Sequence, residues 1–370
     1  MRSASSNGRG PVRRRRWTGL TALVAVVLVA ASGAAASRHH GTAALDTGAA
    51  YRSEGVLSAA AGRSLRALHA SQWRGGSYVT STGETVRVFV SPGYPDGDAV
   101  GRRWAEFFAS LLHGPEIGVM TAYVVTPSEL EEVCGSDALG CYGGGMLAFM
   151  NETAYGVTPE EVAAHEYGHH VAANRPNPPW RSIDSGPKHW ASAESVCRRT
   201  TEGTAFPGDQ DRNYRLNPGE AFAEVYRALN EVRAGAPSFS WSLVDSSFQP
   251  DTAALEAAER DVLAPWARPT TQVERARLGG RRTWSVRVST PLDGNLVVNL
   301  KLPRGALHEL VVLGPDGRSV LAKGLWSGAA EKHATATVCG QRSIVVRVTR
   351  SVPTGPSGPS GPFSLRVTHD

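Results

Sequence analysis

The chain has 370 residues, enough for two domains plus terminal segments, and its 41% hydrophobic and 20% charged composition is that of a globular protein. The formal net charge is +5, yet residues 1–36 hold six arginines and no acid; of 39 Lys+Arg, the remaining 33 face 34 Asp+Glu. The body of the chain is therefore near neutral, which excludes the basic surface that a nucleic-acid partner needs.

In chain order, the arginine-rich stretch through Arg16, the apolar run Leu20–Ala31 and the small residues Ala34-Ala35-Ala36 read as a signal peptide over residues 1–36. Left uncleaved, Trp17 to Ala36 would just span a bilayer as an N-terminal anchor. In either case the body is expected outside the cytoplasm, secreted/extracellular or held at the cell surface. No later segment is long and apolar enough to cross a membrane. Residues 37–80 are Ala/Gly/Ser-rich, with one helix expected around Gly55–Ala70, and read as a linker or propeptide.

A domain is expected over residues 81–268. Val86–Val90 reads as a strand closed by Ser91-Pro92-Gly93, and Trp104, Phe107, Phe108, Leu111 and Leu112 recur at helical spacing up to Gly114. Val119–Val125 and Met146–Met150 read as further strands, the latter as an edge on which an extended substrate could lie. Thr158-Pro159-Glu160-Glu161 combines an N-cap, a proline at the first helical position and an acidic first turn, so a helix should run to about Ala173. An irregular stretch is expected from Asn174 to Asn217, a length uncommon unless functional. Helices then follow from Asn217 to about Gly235 and from Thr252 to Leu263.

From residue 270 to 370 the texture changes to short β-rich runs (Trp284–Val288, Leu296–Leu300, Glu309–Leu313, Ile344–Val348, Phe363–Val367) separated by Gly/Pro/Asp turns, the pattern of a β-sandwich. The repeat Gly355–Pro362 is too short for a triple helix and reads as a flexible connection. The four cysteines, in an exported chain, suggest disulfides, with Cys134–Cys141 and Cys197–Cys339 preferred among the three connectivities.

The chemistry concentrates in His165-Glu166-Tyr167-Gly168-His169, an H-E-x-x-H on an expected helix. Spacing of i, i+4 puts both imidazoles on one face, where they can ligate one Zn²⁺, and Glu166 can reach a metal-bound water as general base. A catalytic zinc needs a third protein ligand and an open position. The metzincin pattern would place a glycine at Ala172 and a histidine at Arg175, so that class is excluded. Glu220 and Glu224, again i, i+4, are the remaining candidates, one to ligate and the other to orient a ligating histidine. Asp209-Gln210-Asp211-Arg212-Asn213 begins like a calcium loop but lacks the glycine and the closing glutamate.

These two helices resemble those of the gluzincin metallopeptidases, locally the lethal-factor and proline-specific endopeptidase branch, over roughly residues 158–232. The resemblance implies a zincin-like domain, a small mixed sheet carrying the H-E-x-x-H helix and a glutamate helix. In it Glu220 would be the third zinc ligand, Glu224 would support a ligating histidine, and a tyrosine would stabilise the oxyanion. That tyrosine corresponds most nearly to Tyr214, although the usual position is Asn213; His170 and His189 are alternatives. The last hundred residues are similar to the bacterial pre-peptidase C-terminal domain, which implies an accessory module binding substrate or a surface.

The expectation is thus an α+β protein: a secreted, zinc-dependent endopeptidase acting on a peptide or protein substrate, with one zinc per chain and a C-terminal β-sandwich. The rival expectations are a catalytically silent zincin-like binding protein working through its β-sandwich, and a structural protein in which the H-E-x-x-H has no role.

Overall fold

The computed structural model describes residues 54–56, 61–63, 65, 73–136, 138–351 and 361–370; the expected leader and most of the Gly355–Pro362 connection lie outside the described residues. The fold is mixed α+β. Strands β1 (Glu54–Val56), β2 (Arg74–Val79), β3 (Thr85–Val90), β4 (Thr121–Val124), β5 (Gly140–Gly143) and β6 (Met146–Phe149) form one sheet in the order β1-β5-β6-β4-β3-β2. β3, β4 and β6 run parallel, β2 and β5 pair antiparallel with β3 and β6, and β1 pairs parallel with β5. Gly144 and Gly145, both at positive φ (59° and 81°), make the two-residue turn that folds β5 back on β6.

Several expectations need correction. Of the helix expected around Gly55–Ala70, residues 61–63 and 65 are helical while 55 and 56 belong to a strand, and the sheet already includes Arg74–Val79, so it starts before residue 81. Met146–Phe149 is not an edge. Paired on one side with β4 and on the other with β5, it has no main-chain groups left for a substrate strand. An all-apolar run of four buried residues is what an interior strand reads like, and the edge reading missed that.

Helices α1 (Gly97–Ser110) and α2 (Pro127–Cys134) precede α3 (Pro159–Ala173), the H-E-x-x-H helix, which packs against β5 and β6. A capping box between Thr158 and Glu161 starts α3, with Pro159 in the first turn. It is buried along almost its whole length, as a core helix must be. The stretch expected to be irregular carries three short helices, α4 (Ser182–Ser185), α5 (Lys188–Ala193) and α6 (Val196–Thr201), each too short for periodicity to reveal. Helix α7 (Pro218–Arg233), capped by Asn217 Oδ1 on Gly219 N–H at 3.0 Å, packs directly on α3, and α8 (Thr252–Leu263) closes this half.

Contact between α3 and α7 is tightest at Gly168. A Cβ there would sit 2.8 Å from Ala223 Cα and 3.0 Å from its carbonyl oxygen, so only glycine lets the two helices approach. Gly168→Ala should therefore destabilise the fold by about 1–3 kcal/mol through overpacking, more than the ~0.5–1 kcal/mol gained in helix propensity. Chemical denaturation checks this; an unchanged midpoint would show that the helices are not so closely apposed.

The C-terminal half is a β-sandwich. One sheet has the order β11 (Val320–Lys323), β10 (His308–Leu313), β14 (Ser343–Arg350), β8 (Thr283–Ser289). The other runs β12 (Leu325–Gly328), β13 (Glu331–Val338), β9 (Gly294–Lys301), β15 (Phe363–His369), β7 (Thr270–Ala276). Alternating inward residues, among them Val288, Leu310 and Ile344 from the first sheet and Leu296, Val298 and Leu365 from the second, share one core. Both expected disulfides, Cys134–Cys141 and Cys197–Cys339, are formed. The second ties α6 to the sandwich, beside a polar seam in which the fully buried Lys188 meets Asp370 Oδ2 at 3.2 Å and the Asp293 carbonyl at 3.0 Å.

Candidate metal centre

His165 and His169, one turn apart on α3, face Glu220 on α7. Glu220 Oε2 lies 3.2 Å from His169 Nε2 and 3.8 Å from His165 Nε2, and a ligand atom from each of the three falls within 4.8 Å of the others. Tetrahedral zinc at ~2.0–2.2 Å from nitrogen and oxygen donors needs ligand atoms roughly 3.3 Å apart, so the trio fits such an ion. Two imidazoles and a carboxylate also have the donor chemistry zinc favours.

Glu224 Oε2 is 2.9 Å from His165 Nδ1, so that nitrogen donates and Nε2 keeps its lone pair turned toward Glu220 and His169. Arg227 anchors the other side of Glu224, with Nε at 3.0 Å from Oε2 and Nη2 at 2.7 Å from Oε1. Burial by itself would raise the Glu224 carboxyl, but the bonds from His165 and Arg227 outweigh it and hold it at about 2. Burial depresses His165, opposed by Glu224, which keeps the imidazole in its neutral, ligating form.

Glu166 is fully buried, and neither carboxylate oxygen has a hydrogen-bond partner among the described residues. Burial pushes its carboxyl well above the ordinary range; His169 opposes the rise and Glu220 adds to it. A raised carboxyl beside a metal-ligand cluster suits a group that must both take and return a proton. The backbone of β5 touches it: a Cβ on Gly140 would fall 2.5 Å from Glu166 Oε1. Two residues on, Tyr142 stacks on His169 with centroids 6.3 Å apart and places its hydroxyl 3.2 Å from His170 Nδ1.

Two cavities adjoin the cluster. One of about 220 Å³ meets His165, Glu166 and Glu224 and is walled by Val157, Val162 and Leu243. The other, about 720 Å³, meets His169, Glu220, Tyr142, Gln210 and Trp180.

The structure thus brings together His165, Glu166, His169, Glu220 and Glu224. Tyr214 lies in a 3-10 turn, Tyr214–Leu216, and lines neither cavity. His170 donates from Nε2 to the Glu116 carbonyl at 2.9 Å, and the buried His189 also lines neither cavity; burial lowers its pKa to about 4. Arg175, where a metzincin would carry its third histidine, pairs with Glu116 at 2.8 Å and caps the last carbonyls of α8. Asp209 accepts the Asp211 and Asn213 amides of its own loop. Sequence reasoning missed Gln210, whose Nε2 donates to Glu220 Oε1 at 2.5 Å, as well as Tyr142 and Arg227. Only Arg227 carried a signal, its i, i+3 spacing from Glu224.

No family model matches the chain, and no curated protein matches it. Among solved structures it is similar to the pre-peptidase C-terminal domain of collagenase from Bacillus anthracis, at 14% identity and a TM-score of 0.20, covering 26% of this chain and 86% of that one. It is also similar to PliG, a periplasmic inhibitor of g-type lysozyme from Aeromonas hydrophila, at 12% identity and a TM-score of 0.21, covering 28% of this chain and 86% of that one. The first match falls weakly on the C-terminal part. At such TM-scores neither carries any inference about function. Among the described residues no helix is long and apolar enough to cross a membrane.

Proposed function

We propose that this chain is an exported zinc endopeptidase of the gluzincin kind, in which a zincin-like domain hydrolyses peptide bonds and the β-sandwich is an accessory module. The observation that carries this reading is the convergence of His165, His169 and Glu220 beside the buried, unpartnered carboxylate of Glu166. Bound by those three residues, zinc would supply Lewis-acid polarisation and acidify a water.

The chain's own groups do the rest. Glu224, fixed by Arg227, keeps the His165 proton on Nδ1. Glu166 accepts the proton of the attacking water and returns it to the departing amine. Because Glu166 must reach that amine, the cavity beside it takes the side chain on the amine side of the scissile bond. Tyr214 is left out of this assignment because it lines neither cavity. Export fits the two disulfides, which persist in an oxidising compartment.

The test is elemental mass spectrometry of the purified chain together with digestion of a mixed peptide library. About one zinc per chain, and cleavage abolished by a chelator and restored by zinc, is the expected result. Stoichiometric zinc without cleavage of any peptide would favour the silent binding protein, and absence of zinc from the folded chain would overturn the metal reading.

A further inference from the structure

Strand β5 is the part of the sheet that borders the metal-ligand cluster: Gly140 rests on Glu166, and Tyr142 stacks on His169. Its inner edge is taken by β6. Its outer edge is taken by β1, in parallel register, with Glu54 opposite Gly140, Gly55 opposite Cys141 and Val56 opposite Tyr142. The pairing therefore falls on the residues that touch the site.

The four side chains of the cluster are themselves buried at the foot of the two cavities. Glu166 is 0% exposed, His165 2%, Glu220 2% and His169 6%. A polypeptide substrate must bring its scissile carbonyl to this cluster, and an extended chain needs main-chain partners to do so. The outer edge of β5 is the adjacent row of such groups, and β1 already holds it.

We propose that β1 is a self-occluding strand. The Glu54–Val56 segment occupies the sheet edge where an extended polypeptide substrate pairs, so that the chain as folded is restrained and is activated when β1 is displaced or cut away. This rests on the peptidase reading of the site. β1 is suited to reversible occupancy: it is three residues long and, among the described residues, pairs with β5 alone. The chain re-enters the core at Ala61 and Leu65, so the strand is tethered close to the edge it covers and outcompetes free peptides by proximity.

The experiment uses the full exported chain with Gly55→Pro and Val56→Pro made separately. In parallel pairing only alternate residues aim their N–H at the neighbour, and proline removes that donor. Amide hydrogen exchange over β5, kcat/KM on the peptide library, and the association rate of a hydroxamate that binds zinc are measured beside wild type, with the melting temperature as a check of fold.

In at least one variant, β5 amides should exchange faster and kcat/KM should rise roughly ten- to hundredfold, the occupancy that two or three net main-chain hydrogen bonds confer. Where wild type cleaves the library, faster exchange with unchanged turnover would overturn the proposal, and so would unchanged exchange in both variants with the fold intact. If no chain cleaves any peptide, yet the hydroxamate binds the variants faster, the peptidase reading falls and the occlusion stands. If exchange rises but neither hydroxamate binding nor turnover changes, the occlusion falls.

Discussion

Glu166→Gln should leave zinc content and melting temperature close to wild type while lowering kcat/KM by about 10²–10⁴, the usual contribution of a positioned general base. The substitution is nearly isosteric and removes only the ability to accept a proton. Its structural effect should be small because, among the described residues, the carboxylate has no hydrogen-bond partner to lose. Initial rates on the best library peptide, read beside metal content, decide the matter. Loss of zinc together with activity would move Glu166 from proton transfer to metal retention, and full activity would remove it from the mechanism.

Glu220→Gln and Glu224→Gln should separate a ligand from its support. Glu220 Oε2 sits 3.2 and 3.8 Å from the two imidazole Nε2 atoms, and Glu220→Gln is expected to bring bound zinc down to background. Glu224 makes no such approach. It orients His165, so Glu224→Gln should retain the metal with affinity weakened about 10–100-fold. Glu224→Gln should also cost stability, on the order of 3 kcal/mol, because it leaves the buried Arg227 short of its main counter-charge. Glu231 and the Ser240 carbonyl still hold that guanidinium, which places the loss at the lower end of the range for broken buried pairs.

The sign of the pH dependence follows from the same bonds. Glu224 is held at about 2, below its ordinary 4.5, so its contribution to the stability of the metal-free chain is complete above about 4.5 and is lost as pH falls toward 2. In Glu224→Gln that part of the acid transition should disappear. Equal zinc loss from both substitutions, or retention in Glu220→Gln, would overturn the division of roles.

Much of the site could be read along the chain because it depends on local rules. The i, i+4 spacing of His165 and His169 sets their common face once a helix forms, and Thr158, Pro159 and Glu161 secure that helix by capping that needs no tertiary contact. Asn217 and Pro218 do the same for the helix of Glu220 and Glu224. The sandwich was legible through strands such as Leu296–Leu300 and Ile344–Val348, where apolar residues alternate or run together. β7 and β13 were missed because Thr270–Ala276 and Glu331–Val338 hold few large apolar residues.

What the sequence by itself determined are these helices, their caps and the histidines and glutamates they carry, since each depends on neighbours within a few residues. Tertiary packing decided the rest. It set Glu220 against histidines some fifty positions earlier in the chain, through the glycine contact of Gly168 with Ala223. It turned Gln210 onto Glu220 and Tyr142 onto His169 from loops and strands with no periodic signal. It also buried Met146–Phe149 inside the sheet and left the edge beside Glu166 to β5 and β1, because strand order is settled by hydrogen bonds between distant segments, which no local pattern encodes.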